Sequence, residues 1–316
     1  MSSTASLSPG YRAVTSGCGL LDRSERGKLA LTGGQAKSFL QGQVSNDVES
    51  LTPGRGCYAA FLTPKGKMLG DLRILDAGEQ LLLDTERATL QGLFNMIRRF
   101  SIGYDVELHK RTLERALLSL VGPDAAQTAG LTDLAAAPEH THLTAEVGGV
   151  PIRAIRTDVG IDVLCAAEQT PAVRAALERA GALPVDEPVI ECLRVEHGRP
   201  RYGIDLDDSV IPQEAGLNER AVSFTKGCYV GQETVARLYY RGKPNRHLRG
   251  LRLGGRAETG DPLRDGDREV GQLGTVTESP RFGLIALGFV RREVAVGATV
   301  SAGDGTTAEV VELPFS

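Results

Sequence analysis

Hydrophobic positions recur with two periods over the first three quarters of the chain and with one over the last quarter. Residues 27–32 (GKLALT) place Leu29 and Leu31 on one face and predict a strand. Residues 35–42 predict a short helix, with Ala36, Phe39 and Leu40 on one side and Gly42 closing it. Strands are predicted over 57–62, 69–75 and 80–84. The first two are joined by Thr63-Pro64-Lys65-Gly66, a favourable turn sequence. From 86 to 100, Leu90, Leu93, Phe94 and Ile97 repeat at i, i+3, i+4 and i+7, which predicts a longer helix. Strands follow over 113–121, 150–156 and 161–165. A further helix is signalled by Thr170 as N-cap, Pro171 in its first turn and Gly181 beyond its end. Another spans 188–197 and stops at Gly198.

After Lys243-Pro244-Asn245 the helical period disappears. About six short strands remain between Gly and Asp turns, the pattern of a small β-barrel or sandwich. The fold class is therefore α+β. Residues 1–243 form a mixed body, divisible into two interleaved lobes, and residues 244–316 form a C-terminal β-barrel.

Length and composition narrow this picture. The 316 residues suit two or three domains, and 41% hydrophobic with 24% charged residues argues against a disordered chain. Trp is absent, so the core leans on Leu, Val, Ile and Ala. A net charge of −4 excludes a basic nucleic-acid footprint at the level of the whole chain. The longest apolar run, residues 284–290, is too short to span a membrane. The first twelve residues lack the apolar core of a secretory signal and read as a frayed polar tail. Cys18, Cys57, Cys165, Cys192 and Cys228 are odd in number, widely spaced and without a CxxC. That points to a reducing compartment, the cytoplasm, and away from disulfides or a permanently bound iron–sulfur cluster.

Several familiar chemistries are missing. Phe61 and Met68 break the P-loop pattern around Gly66-Lys67, and the glycines of 54–59 lead into a strand, not a helix. His140 and His142 lack a third ligand nearby and read as a solvated loop, so no metal site is assigned. The stretch 226–233 (KGCYVGQE) is different. Cys228 lies between two glycines, which permit close approach of another molecule. From 226 to 252 there are seven Lys or Arg (226, 237, 241, 243, 246, 249, 252) against Glu233 alone, a local charge of +6. Such a field lowers a thiol's pKa and attracts anions. Tyr229, Tyr239 and Tyr240 also offer stacking faces. A buried cysteine at a glycine turn beside a solvated basic face is the alternative.

KGCYVGQE resembles the signature of the YgfZ-type folate-binding proteins, relatives of the glycine-cleavage aminomethyltransferase (T-protein) that act in iron–sulfur cluster assembly. Residues 39–48 (FLQGQVSNDV), 61–68 (FLTPKGKM), 201–205 (RYGID) and 211–217 (IPQEAGL) are similar to the family in the same order, covering about 20–300. The resemblance implies a multi-lobed protein around a folate channel, with tetrahydrofolate or a one-carbon derivative as ligand. It implies iron–sulfur client proteins as partners, tRNA-modifying enzymes among them, and a monomer. Cys228 would be the central functional residue, accepting or passing sulfur or a one-carbon group, or ligating iron in transit. Lys226 would steady its thiolate. Arg237 and Arg241 would meet folate carboxylates, with Tyr229 and Gln232 of the motif beside them. Residues 157–163 (TDVGIDV) are similar to the T-protein segment that holds the pterin, which makes Asp158 the acceptor candidate. Asp71 matches one of two carboxylates in the transferases' catalytic segment, and Gly70 replaces the other. That departure weakens the alternative function, a folate-dependent aminomethyltransferase or demethylase. Arg194 and Glu196 are expected in the channel wall.

Overall fold

The computed structural model describes residues 8–316. Three β-systems organise them. A five-stranded antiparallel sheet has the order Gly56–Leu62, Met68–Asp76, Leu81–Thr85, Gly27–Thr32, Glu107–Lys110. A six-stranded sheet has the order Leu183–Pro184, Gly19–Asp22, Arg115–Val121, Gly160–Ala166, Val150–Arg156, His142–Val147. Strand Gly19–Asp22 belongs to the second sheet, so the whole five-stranded unit is inserted between two of that sheet's strands. The remaining six strands, Arg246–Leu253 to Thr306–Val311, close into a barrel and leave no open edge.

Alternation along the strands decides what each face meets. In Met68–Asp76, Leu72 and Ile74 point into a core with Leu93 and Ile97 of helix Leu90–Phe100. Asp71 and Arg73 point the other way. In the second sheet, Leu118, Leu120, Ile161 and Val163 pack on Val173 and Leu177 of helix Thr170–Arg179. Ser119 and Asp162 take the opposite face. The two polar faces meet: Arg73 reaches Asp162 at 2.6 Å and Asp84 at 2.8 Å. A separate apolar cluster, including Met68, Val195, Leu248 and Phe289, joins body to barrel.

Some boundaries differ from the sequence reading. The helix predicted from 86 starts at Leu90. Residues 86–89 form a turn in which the Thr89 N–H and hydroxyl both donate to the Glu86 carbonyl, at 3.1 and 3.0 Å. Thr170 is not a cap: it is the first residue of its helix, and its hydroxyl donates back to Ala167. The frayed tail is overturned from residue 8 onward, while residues 1–7 lie outside the described residues. Pro9–Ser16 is a helix capped by Ser8, and Tyr11 is buried with its hydroxyl donating to Glu196 at 2.8 Å. The solvated HxH loop is also overturned. His142 is buried in a strand, and burial pushes His140 down to about 3 and His142 down to about 4, so both are neutral. Among the described residues no helix is long and apolar enough to cross a membrane.

Candidate functional site

The polar seam between the sheets opens into two adjoining cavities of about 220 Å³ each. Arg23, Arg26, Tyr58, Asp71, Asp158 and Arg220 line both. Asp71 comes from the five-stranded unit and Asp158 from the turn between two strands of the other sheet, so the two candidate carboxylates converge on one space. Register explains the neighbours. Tyr58 lies across from Arg73, and Arg73 across from Asp84, so these side chains share a face with Asp71.

Asp71 is buried. Its Oδ2 accepts the Tyr58 hydroxyl at 2.7 Å. Burial raises its carboxyl to about 6, against the opposing pull of the Tyr58 hydrogen bond and the Arg26 charge. Tyr58 is itself pushed well above its ordinary range by burial, so it remains a donor. Asp158 is held less tightly: Arg199 donates to its Oδ2 at 2.8 Å, and Arg220 stands 3.8 Å from the same oxygen. The Nε atoms of Arg23 and Arg220 and the Nδ1 of His140, all residues lining the cavity, are buried and have no partner among the described residues. Buried polar nitrogens without partners are uncommon, and here three belong to residues that line one cavity.

The family-like segments hold this wall together. The Ser45 hydroxyl donates to Ala221, and the Asn46 amide to both Tyr58 and Arg220 carbonyls. That ties strand Gly56–Leu62 to the short helix Asn218–Ala221 and sets the Arg220 guanidinium 5.4 Å above the Tyr58 ring. Asp205 accepts from Arg194 at 2.7 Å and from the Thr275 N–H at 2.7 Å, binding the body to the barrel. Arg194 lines the cavity, whereas Glu196 is spent on Tyr11 and Ser279. Position 70 has no room for the second carboxylate, because a Cβ there would stand 2.6 Å from the Phe61 ring.

The KGCYVGQE stretch lies elsewhere. None of Lys226, Cys228, Tyr229, Gln232, Arg237 and Arg241 lines the central cavities. Gly231 starts helix Gln232–Arg241 at φ 87°, and a Cβ there would fall 2.6 Å from the Thr63 carbonyl. The motif and the Thr63–Gly66 turn are thus packed on each other. The ammonium of Lys226 is buried and donates to the carbonyls of Gln41, Val44 and Asn46 at 2.6, 2.7 and 2.9 Å. Burial pushes it down to about 8. With its three donors committed, Lys226 anchors the motif and has none left for the Cys228 thiolate. Tyr229 is buried below it, with the ammonium 4.9 Å from its ring centroid. Gln232 is half-buried, and Arg237 and Arg241 are exposed on the outer helix. Of the other basic residues, Arg246, Arg249 and Arg252 turn to Glu214, Glu312 and the Ser316 carbonyl.

Cys228 is exposed; Cys18, Cys165 and Cys192 are buried and Cys57 is half-buried. Burial pushes the Cys57 and Cys192 thiols up to about 12 and raises those of Cys18 and Cys165. Brief iodoacetamide treatment near neutral pH is therefore expected to alkylate Cys228 first. Peptide mass spectrometry that found Cys57 modified before Cys228 would contradict this.

Sequence reasoning missed Arg26, Tyr58, Arg73, Asp84, Arg220 and His140. A signal existed for part of the set: charged and apolar residues alternate in 71–74 and 83–84, as on a strand with one polar face.

With the geometry in place, comparison with known proteins gives one consistent result. The family described as the GCVT N-terminal domain matches residues 3–226. An aminomethyltransferase of Geobacillus kaustophilus is 33% identical over 98% of this chain and 90% of its own. One of Rubrobacter xylanophilus is 31% identical over 98% and 86%. A chloroplastic protein of Arabidopsis thaliana named as a transferase is 29% identical over 96% and 72%. The crystal structure of the glycine cleavage system aminomethyltransferase T from Bartonella henselae superposes with a TM-score of 0.86, covering 97% of this chain and 88% of that one at 22% identity. At that identity the superposition speaks for the fold.

Proposed function

The chain belongs to the GCVT N-terminal domain family, and on that premise we propose a tetrahydrofolate-binding protein that serves iron–sulfur enzymes through Cys228, as the YgfZ-type proteins do. The observation that carries the folate part is the convergence of Asp71 and Asp158 on one cavity whose lining also includes Arg23, His140 and Arg220, each with an unpaired buried nitrogen. These residues fit a flat heterocycle rich in donors and acceptors. Asp158 accepts from the pterin, while Arg23, Arg220 and His140 meet its acceptor atoms. Tetrahydrofolate supplies a one-carbon-carrying nitrogen when bound. The chain supplies position and a proton: Asp71, near 6 and steadied by Tyr58, takes up or releases a proton close to neutral pH.

Cys228 works outside the cavity, on an exposed loop that a client protein can reach. There its thiolate takes a sulfane sulfur from a donor persulfide, which leaves as a thiol, and passes it on by the same exchange, or it holds iron in transit. Five free cysteines suit a reducing compartment such as the cytoplasm. Calorimetric titration with tetrahydrofolate under reducing, anaerobic conditions is expected to give micromolar binding. Asp158→Ala should weaken it by ~1–3 kcal/mol, the cost of stranding a polar partner. No heat up to millimolar ligand would remove the folate reading. In cells, Cys228→Ala should depress the activity of iron–sulfur tRNA-modifying enzymes; unchanged activity would remove the client reading.

A second reading is aminomethyl transfer. It is favoured by the names of the bacterial relatives and by the cavity position of Asp71. The packed glycine at position 70 counts against it. Methylene-tetrahydrofolate formed from an aminomethylated lipoyl carrier would establish this reading.

A further inference from the structure

We propose that the cleft behind the Arg73–Asp84 pair is a second binding site, for a small organic anion with an apolar body. The cleft has a volume of about 230 Å³ and shares only Arg73 and Asp84 with the central cavities, so the ion pair is the wall between them.

Strand register builds its charged side. Leu164 pairs with Leu117 on one side and Arg153 on the other, and Arg115 lies two residues before Leu117. The four side chains therefore share one face of the six-stranded sheet. Leu75 and Leu82, paired with each other on the Arg73 face of the five-stranded sheet, close the cleft from the other side.

The lining holds five cations, Lys28, Arg73, Arg111, Arg115 and Arg153, against one carboxylate, Asp84. Asp84 is already taken by Arg26 and Arg73. Arg111 pairs with Glu114. Arg115 makes no ion pair among the described residues. Arg153 donates to the Nδ1 of His142, whose Nε2–H faces the Arg55 carbonyl at 3.2 Å. That histidine is neutral, so it leaves the Arg153 charge uncompensated. Burial and the nearby Arg115 push the Arg153 guanidinium down, which places two like charges in one field. The Nε of Arg73, nine-tenths buried, also lacks a partner in this wall.

Arg73 is also paired with Asp162, and the Lys28 ammonium donates to the Ser24 and Arg26 carbonyls, so a neutral apolar molecule would leave Arg115 and Arg153 facing each other. An inorganic anion would leave the leucine wall wet. A carboxylate or sulfonate on an aryl or alkyl body satisfies both. Nothing in this inference depends on folate.

The probe is 8-anilinonaphthalene-1-sulfonate, followed by fluorescence, with decanoate as competitor. The full-length chain is expected to show saturable enhancement that decanoate reverses. In R115Q/R153Q the affinity should fall at least about tenfold, the scale of one lost charge-assisted contact. The uncharged analogue N-phenyl-1-naphthylamine should not distinguish the two proteins. Arg115→Glu, at an exposed position and away from His142, should weaken the sulfonate alone if the double variant unfolds. Equal sulfonate affinity in wild type and Arg115→Glu, or no saturable enhancement in wild type, overturns the proposal.

Discussion

Lys226→Met is expected to lower the free energy of unfolding by about 3–5 kcal/mol, from three stranded carbonyls at ~1–3 kcal/mol each with partial relaxation. The methionine keeps the apolar stem but not the ammonium that now bonds Gln41, Val44 and Asn46. These carbonyls belong to the segment that ends helix Ala36–Gln41 and leads to Asn46, which in turn bonds Tyr58 and Arg220. Loss of the ammonium therefore loosens the cavity wall as well as the motif. Lys226→Arg should not rescue it, because a planar guanidinium cannot aim at three carbonyls gathered around one nitrogen. Urea denaturation measures the change. A loss below about 1 kcal/mol would mean that water replaces the ammonium, and the anchoring role would fall.

Lys226 also shows what the chain made legible and what it did not. Its place in KGCYVGQE marked it for function, but burial among carbonyls is a tertiary fact with no local signal. The barrel was legible because its short apolar runs lie between Gly and Asp turns and no helical period interrupts them. Helix Leu90–Phe100 was legible because its stripe is unbroken; helix Gln232–Arg241 was not, because Val235 is its one buried residue. Asp71 and Asp158 were found through resemblance. Their meeting depends on two sheets turning polar faces inward, where alternation alone predicts solvent. Arg73, Asp84 and Asp162 carry the same ambiguity: on a strand, a charged face covered by another charged face reads like an exposed one.

Asp71→Asn is expected to stabilise the fold near neutral pH while removing the proton acceptor of the cavity. The asparagine oxygen still accepts the Tyr58 hydroxyl, but no charge is buried. The carboxyl of Asp71 is raised from 3.8 to about 6, chiefly by burial. A raised acid binds its proton more tightly in the folded state. Its contribution to stability is fully present below the unfolded pKa and is lost as pH rises through the folded one. The window runs from about pH 4 to about pH 6, and the loss approaches ~3 kcal/mol for a shift of about two units. Wild type and Asp71→Asn should thus be similar at the acid end and diverge across the window, with the variant more stable above it. Tyr58→Phe sharpens the test. The tyrosine hydrogen bond lowers the Asp71 pKa, so its removal should shift the divergence to higher pH. Chemical denaturation across this range decides the matter. A stability difference independent of pH would mean that Asp71 ionises freely in the fold, and the neutral-pH proton role assigned to it would go with that result. The same variant separates stability from function: a more stable protein with lost folate-dependent activity is the signature of a charge kept for chemistry at the expense of the fold.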